Sequence, residues 1–266
     1  MRTRQALAMI TFLAFGYGCA SETVEEQPPA AAATEGAEAT PTAAPAPAPA
    51  PVAEPAPVTP AAAVAEPPAP VMPTAAGIVI HEVKDYAAWK PVFDGHIDAR
   101  KAAGFLGEGI MRGVDNDKQV AVYLPTTDAA KATAFFADKA LKDKMKEAGV
   151  KGKPTMYVFN TAGGKMAKVA GPLFGAILQV NVKDFAAFKT AIEAQDAALT
   201  TAGIAGYGIG QSPDTATVGY LYLQAEDVAK LKAYLAAKET KKAMKDAGVK
   251  GQPKTTVVQE TGMMMY

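Results

Sequence analysis

Val83-Lys84-Asp85-Tyr86-Ala87-Ala88-Trp89-Lys90 is written twice in this chain. It returns as Val182-Lys183-Asp184-Phe185-Ala186-Ala187-Phe188-Lys189, 99 positions later. The same offset carries Ala148-Gly149-Val150-Lys151-Gly152 with Pro154 onto Ala247-Gly248-Val249-Lys250-Gly251 with Pro253, and no gap is needed between the anchors. A long period seen only twice marks a duplicated domain, because solenoids stack many copies of a short unit.

Working outward from the repeated stretch gives the elements of one copy. Ile78 to Val83 alternates within a β-prone run and reads as a strand. Asp85 is an N-cap candidate, and Tyr86, Trp89, Phe93, His96 and Arg100 then recur at spacings of three and four, which is one face of a helix that Gly104 stops. Pro91 falls early enough for a helix to tolerate it. Phe105 to Arg112 is a second strand whose Gly107 and Gly109 predict a bend or bulge. Val114 to Asp117 is a turn and Gln119 to Leu124 a third strand. Asp128 to Ala148 reads as a helix broken near Asp138-Lys139, with Phe135, Leu141 and Met145 facing inward; Gly149 ends it, and Pro154 opens a last strand through Asn160. The order is βαββαβ, the ferredoxin-like split unit. The second copy repeats it with strand 177–182, helix 185–202, strands 204–211 and 218–223, helix 227–247 and strand 254–259.

One such unit leaves a sheet face uncovered, and a chain of about 90 residues buries a smaller share of its surface than one of about 190. Packing the two sheets face to face solves both problems. The expected fold is therefore α+β: two tandem ferredoxin-like repeats, 77–163 and 175–263, joined by a connector at 164–174 and forming a pseudo-two-fold α/β barrel within one chain, helices outside.

Val83 to Arg100, the Asp115-Asn116 turn and the Ala148-Gly149-Val150…Pro154 ending resemble the dimeric α/β-barrel superfamily. Within it they are most similar to small domains grouped with antibiotic-biosynthesis monooxygenases and cyclase-like proteins. The resemblance covers about residues 77 to 262 and none of the first 76. It implies a pocket in the cleft between sheet and helices, and chemistry that ranges from cofactor-free oxygenation to plain binding, so fold alone does not choose a function.

The first 76 residues read as an address and a tether. Met1-Arg2-Thr3-Arg4-Gln5 is a basic n-region, and Ala6 to Phe15 an apolar segment too short to span a bilayer. Gly16-Tyr17-Gly18-Cys19 follows and resembles a bacterial lipoprotein signal, with 1–18 removed and Cys19 lipidated. Ala20 after the cysteine matches outer-membrane sorting; the alternative is ordinary secretion with cleavage after Ala20, giving a soluble periplasmic or secreted protein. Residues 19–76 hold 14 of the 20 prolines, in runs such as Pro45-Ala46-Pro47-Ala48-Pro49, and cannot bury a core. They read as a disordered stalk.

Charge and cysteine content exclude some classes. The chain balances 27 basic against 27 acidic residues, but seven of the acids lie in residues 20–76, which have no Lys or Arg. Setting those aside with Arg2 and Arg4 leaves 25 basic against 20 acidic, spread over helix surfaces. Nucleic-acid binding, which needs a concentrated basic stripe, is not indicated. Cys19 is the sole cysteine, so no intrachain disulfide and no cysteine metal site can form.

Both histidines fall in the first repeat. His81 shares the register of Val79 and Val83, and His96 lies on the helix face of Trp89, one turn before Arg100. If that strand face meets the helices, the two imidazoles approach each other in the cleft. The resemblance places functional residues at His81, His96 and Arg100. A neutral imidazole can act as a general base, and Arg100 can hold an anionic ligand group. Trp89, Phe93 and Arg112 are the candidates for ligand contact, although aromatic residues at helical spacing are usually core. The second repeat has Val180, Gln195 and Leu199 at the places of His81, His96 and Arg100. His81 and His96 with Glu82 or Asp98 lack metal-ligand spacing, so no metal and no cofactor is expected. Gly203-Ile204-Ala205-Gly206-Tyr207-Gly208 follows a helix and occupies a strand, the wrong setting for a phosphate cradle. Met263-Met264-Met265 reads as a loose apolar tail.

The reading that follows is an envelope lipoprotein, non-enzymatic, whose duplicated barrel binds a small apolar molecule or a protein partner. The alternative is a cofactor-independent monooxygenase or cyclase-like enzyme working through His81, His96 and Arg100.

Overall fold

A computed structural model of the protein describes residues 71–167 and 171–266. The expected signal, Cys19 and the linker up to residue 70 lie outside the described residues.

Each repeat starts with a strand whose alternate residues serve two cores. In β1 (Ala75–Val83), Val79, His81 and Val83 face the helices, while Ile78 and Ile80 face the barrel interior. Asp85 then caps α1 (Tyr86–Asp94), its carboxylate accepting from the Ala88 amide at 2.7 Å, and Asp184 does the same for α5 (Phe185–Glu193). Such a cap satisfies an amide that the helix itself leaves unpaired.

The single helix expected through Gly104 is two: α1 stops at Asp94 and α2 (Ile97–Ala102) starts after His96. Neither Pro91 nor Gly95 explains the break. The second repeat interrupts at the same place, between α5 and α6 (Asp196–Thr201), with Ala194 and Gln195 at the junction. The turn belongs to the fold. Strands β2 (Gly107–Gly113) and β3 (Gln119–Thr126) follow, then α3 (Ala129–Ala137) and α4 (Lys139–Glu147), which share Asp138 at the expected break.

β4 (Val150–Lys165) is longer than the sequence suggested, and so is its counterpart β8 (Val249–Met265). Between them lie β5 (Phe174–Val182), β6 (Gly206–Gln211), β7 (Val218–Ala225), α7 (Val228–Ala236) and α8 (Lys238–Asp246). The extra length has a partner. β4 pairs with β1 of its own repeat and then, from Asn160 to Lys165, with β6 of the other. β8 pairs with β5 and then, from Val258 to Met265, with β2. The supposed loose tail at Met263–Met265 is therefore paired strand.

These crossings close one antiparallel barrel in the order β1-β3-β2-β8-β5-β7-β6-β4, with β4 returning to β1. Eight strands leave an interior just wide enough for side chains to fill. Ile78, Ile80, Met111, Tyr157, Ile177, Tyr220 and Val258 fill it, with Tyr123, Phe159 and Tyr222 at their margin. Two further cores lie outside, one under each repeat's helices. The second is packed with Leu178, Val180, Phe188, Ile192, Leu199, Leu221, Leu223 and Leu231. The first holds polar groups.

Candidate functional site

Between the outer face of β1 and β3 and the helices α1 to α4 lies a cleft of about 50 Å³. That exceeds the ~10–15 Å³ a single water needs and is about a third of the ~150 Å³ of a cavity that takes benzene, so an organic ligand requires the cleft walls to move apart. Its walls are Val79, Trp89, Phe93, Val122, Phe135 and Phe136, and its polar groups are His81, His96, Arg100 and Lys144. Both sequence-predicted histidines line this one cleft, as does Arg100.

His81 is 7% exposed, and neither Nδ1 nor Nε2 has a hydrogen-bond partner. It sits where the pairing of β1 with β4 slips between Ile80 and Glu82, the extra residues lying on β4 between Lys151 and Thr155, and the second repeat slips in the same way opposite Val180. Burial pushes its pKa down from 6.5 to about 4. A neutral imidazole carries one N–H and one lone pair, and a buried group left unpaired costs roughly 1–3 kcal/mol. His81 is thus an unsatisfied donor and acceptor in an apolar cleft.

His96 is half-buried at the first position before α2, with no capping bond of its own, and its ring lies 6.0 Å from that of Phe135. Desolvation first, then the nearby Arg100 and Lys144, lower its pKa below the usual histidine value. Trp89 is 2% exposed and stacks with Phe93 at 4.8 Å and Tyr86 at 5.5 Å. It is core and cleft wall at once.

Arg100, 2% exposed, is hydrogen-bonded through Nε and Nη1, while its Nη2 makes an ion pair with Glu108 that lacks hydrogen-bond geometry. Its Nη2 lies 2.6 Å from Glu108 Oε2, Nη1 donates to the Phe93 carbonyl at 2.7 Å, and Nε donates to the Tyr266 hydroxyl at 2.8 Å. The guanidinium also lies over the Phe93 ring, 3.9 Å from its centroid. Tyr266 closes the set by donating to Glu108. An arginine already held this way is not the free anion clamp that the sequence suggested. Arg112 is placed elsewhere. Its guanidinium stacks on Tyr86 at 4.0 Å and donates to the Asp117 carbonyl, and it does not line the cleft.

Sequence reasoning missed Glu108 and Tyr266. Glu108 stands on the helix-facing side of β2 with Ile110, where the repeat offset aligns it with Tyr207. Tyr266 corresponds to Ala167 and reaches the first repeat only because β8 crosses over. The offset that carries Arg100 onto Leu199 therefore places Leu199 and Tyr207 of the second copy, and Ala167 just after the first, at the three corresponding positions, none of them charged. Among the described residues, no group of three or more His, Cys, Asp or Glu side chains is placed to hold a metal ion.

No protein-family model matches the sequence, and no curated protein matches it. Solved structures do. A candidate monooxygenase from Fusobacterium nucleatum subsp. nucleatum superposes with a TM-score of 0.51 at 14% identity, covering 72% of this chain and 94% of that one. An anthrone oxidase-like protein gives 0.53 at 12% identity, covering 74% and 96%. The chain has the ferredoxin-like dimeric α/β-barrel fold of these monooxygenase-like proteins, as its sequence led us to expect.

Proposed function

We propose that the first repeat binds a small, uncharged, largely apolar molecule whose polar edge pairs with His81. The same proposal has the barrel displayed from the cell envelope by a lipidated Cys19 and the Pro/Ala-rich linker. His81 carries the reading, because a buried imidazole unpaired at both nitrogens, in a cleft walled by Trp89, Phe93, Phe135 and Phe136, offers a donor and an acceptor to the polar edge of a ligand.

Catalysis is the second reading, favoured by the fold shared with a candidate monooxygenase and an anthrone oxidase-like protein, and by the lining of one cleft by both His81 and His96. Magnitudes favour binding. A base with a pKa of about 4 stands about three units below neutrality, roughly 4 kcal/mol weaker than one matched to pH 7. In an enzyme, the better-placed base is His96, whose burial is less complete.

Native mass spectrometry of the protein isolated from its own host tests the proposal. A bound small molecule that is absent from a His81→Ala/His96→Ala variant supports the site; an empty wild-type protein argues against it. The intact mass of the mature N-terminus tests the anchor, and a free amine at Ser21 would remove the lipoprotein.

A further inference from the structure

We propose that Glu108, oriented by Tyr266, sets specificity: by neutralising Arg100 it makes the first-repeat cleft select uncharged ligands over anionic ones. The inference rests on reading that cleft as a binding site and adds what decides its occupant.

Arg100 lines the cleft and is 2% exposed, so its charge is hardly screened by water. A bare guanidinium in such a place is a natural carboxylate receptor. Here Glu108 holds Nη2 at 2.6 Å, and Tyr266 joins both partners by accepting from Nε and donating to the carboxylate. The other cationic side chain of the cleft, Lys144, pairs with Glu147 at 2.8 Å. An entering anion therefore finds the buried charge of Arg100 already matched, while the exposed Lys144 is screened by solvent, and it must shed its water for little return.

The second repeat supplies an internal control. It builds the same half-barrel with Leu199, Tyr207 and Ala167 at the three positions, and its core closes over with apolar side chains. The fold does not need the ion pair. The triad accompanies the repeat that keeps His81, His96 and a cleft.

The test is a comparison of phenol with benzoate at pH 7, matched in ring and opposite in charge state. Binding is followed on the indole resonance of Trp89, the only tryptophan in the chain and part of the cleft wall. Wild type is expected to favour phenol. Glu108→Gln keeps the shape and uncovers the Arg100 charge, so benzoate should gain on the order of 10-fold while phenol changes by less than about 3-fold. An unchanged ratio overturns the inference, and so does a wild type that prefers benzoate. Should Glu108→Gln not fold, Arg100→Leu/Glu108→Gln removes both charges and should keep the wild-type ratio; a selective loss of benzoate there would mean that Arg100 serves anions after all. If wild type binds neither probe but Glu108→Gln gains benzoate, the uncharged-ligand reading fails and the charge argument stands. If no variant binds either probe, both fall.

Discussion

The rings of His81 and Trp89 lie 5.7 Å apart between centroids, tilted by 50°. An apolar wall and an unpaired imidazole thus share one contact, and the chain's single tryptophan sits on it.

Trp89 emission should therefore change with a midpoint near pH 4, where His81 gains its proton, because an imidazolium beside an indole quenches it. His81→Val, which installs the second repeat's residue, should leave the fluorescence flat through that range. A fluorescence titration of both proteins decides it, and an unchanged midpoint in the variant would assign the signal to another group.

Stability should follow the same proton. The folded-state pKa of His81 is depressed to about 4 against 6.5 when unfolded, so between those values the unfolded chain holds more protons. Stability is then full above about pH 6.5, falls as pH drops towards 4, and loses on the order of 3 kcal/mol from this group. His81→Val should flatten that slope and raise stability at neutral pH by about 1–3 kcal/mol, since an unpaired buried polar group is removed. Urea denaturation at pH 7 and pH 4.5 measures both effects.

Breaking the Arg100–Glu108 pair from one side should cost more than removing it whole. Glu108→Ala leaves a buried guanidinium uncompensated and is expected to lose about 3–5 kcal/mol. Arg100→Leu/Glu108→Leu should lie within about 1 kcal/mol of wild type, because such pairs are often replaceable by apolar packing. Tyr266→Phe, which keeps the ring and deletes two hydrogen bonds, should cost about 1–2 kcal/mol. Denaturant midpoints for the three variants order these effects.

Gly77 makes room for the cleft wall. A Cβ there would meet the Phe136 ring at 2.4 Å. Gly77→Ala should destabilise by about 1–3 kcal/mol through overpacking and drive Phe136 into the cleft it lines. A shift of the Trp89 indole resonance together with a lower midpoint would show both; an unchanged spectrum would mean that the ring moves elsewhere.

Local signals in the sequence located most of the fold. The doubled Val-Lys-Asp stretch fixed the helix starts at Asp85 and Asp184, and strand alternation put His81 on the face of Val79 and Val83. Those signals reach only a few residues along the chain. The ends of β4 and β8 lie beyond them, because Gly163, Gly164 and Met263 to Met265 are strand only by virtue of β6 and β2, far away in sequence. Arg100 was legible as a helix-face residue, but its charge balance was not. One partner, Glu108, stands on β2 rather than on the helix, and the other, Tyr266, is 166 positions away. Arg112 was misplaced for the same reason, as its neighbour Tyr86 comes from a separate element.

The crossing of β4 and β8 has a thermodynamic consequence. A barrel closed by strands exchanged between separate chains obeys mass action, and dilution takes it apart. Here both strands belong to one polypeptide, so closure is unimolecular and its equilibrium does not depend on how many copies are present. A single molecule is a finished barrel. Neither half has to remain a copy of the other, and the second half can trade its polar groups for hydrocarbon while still lending the first its closing tyrosine.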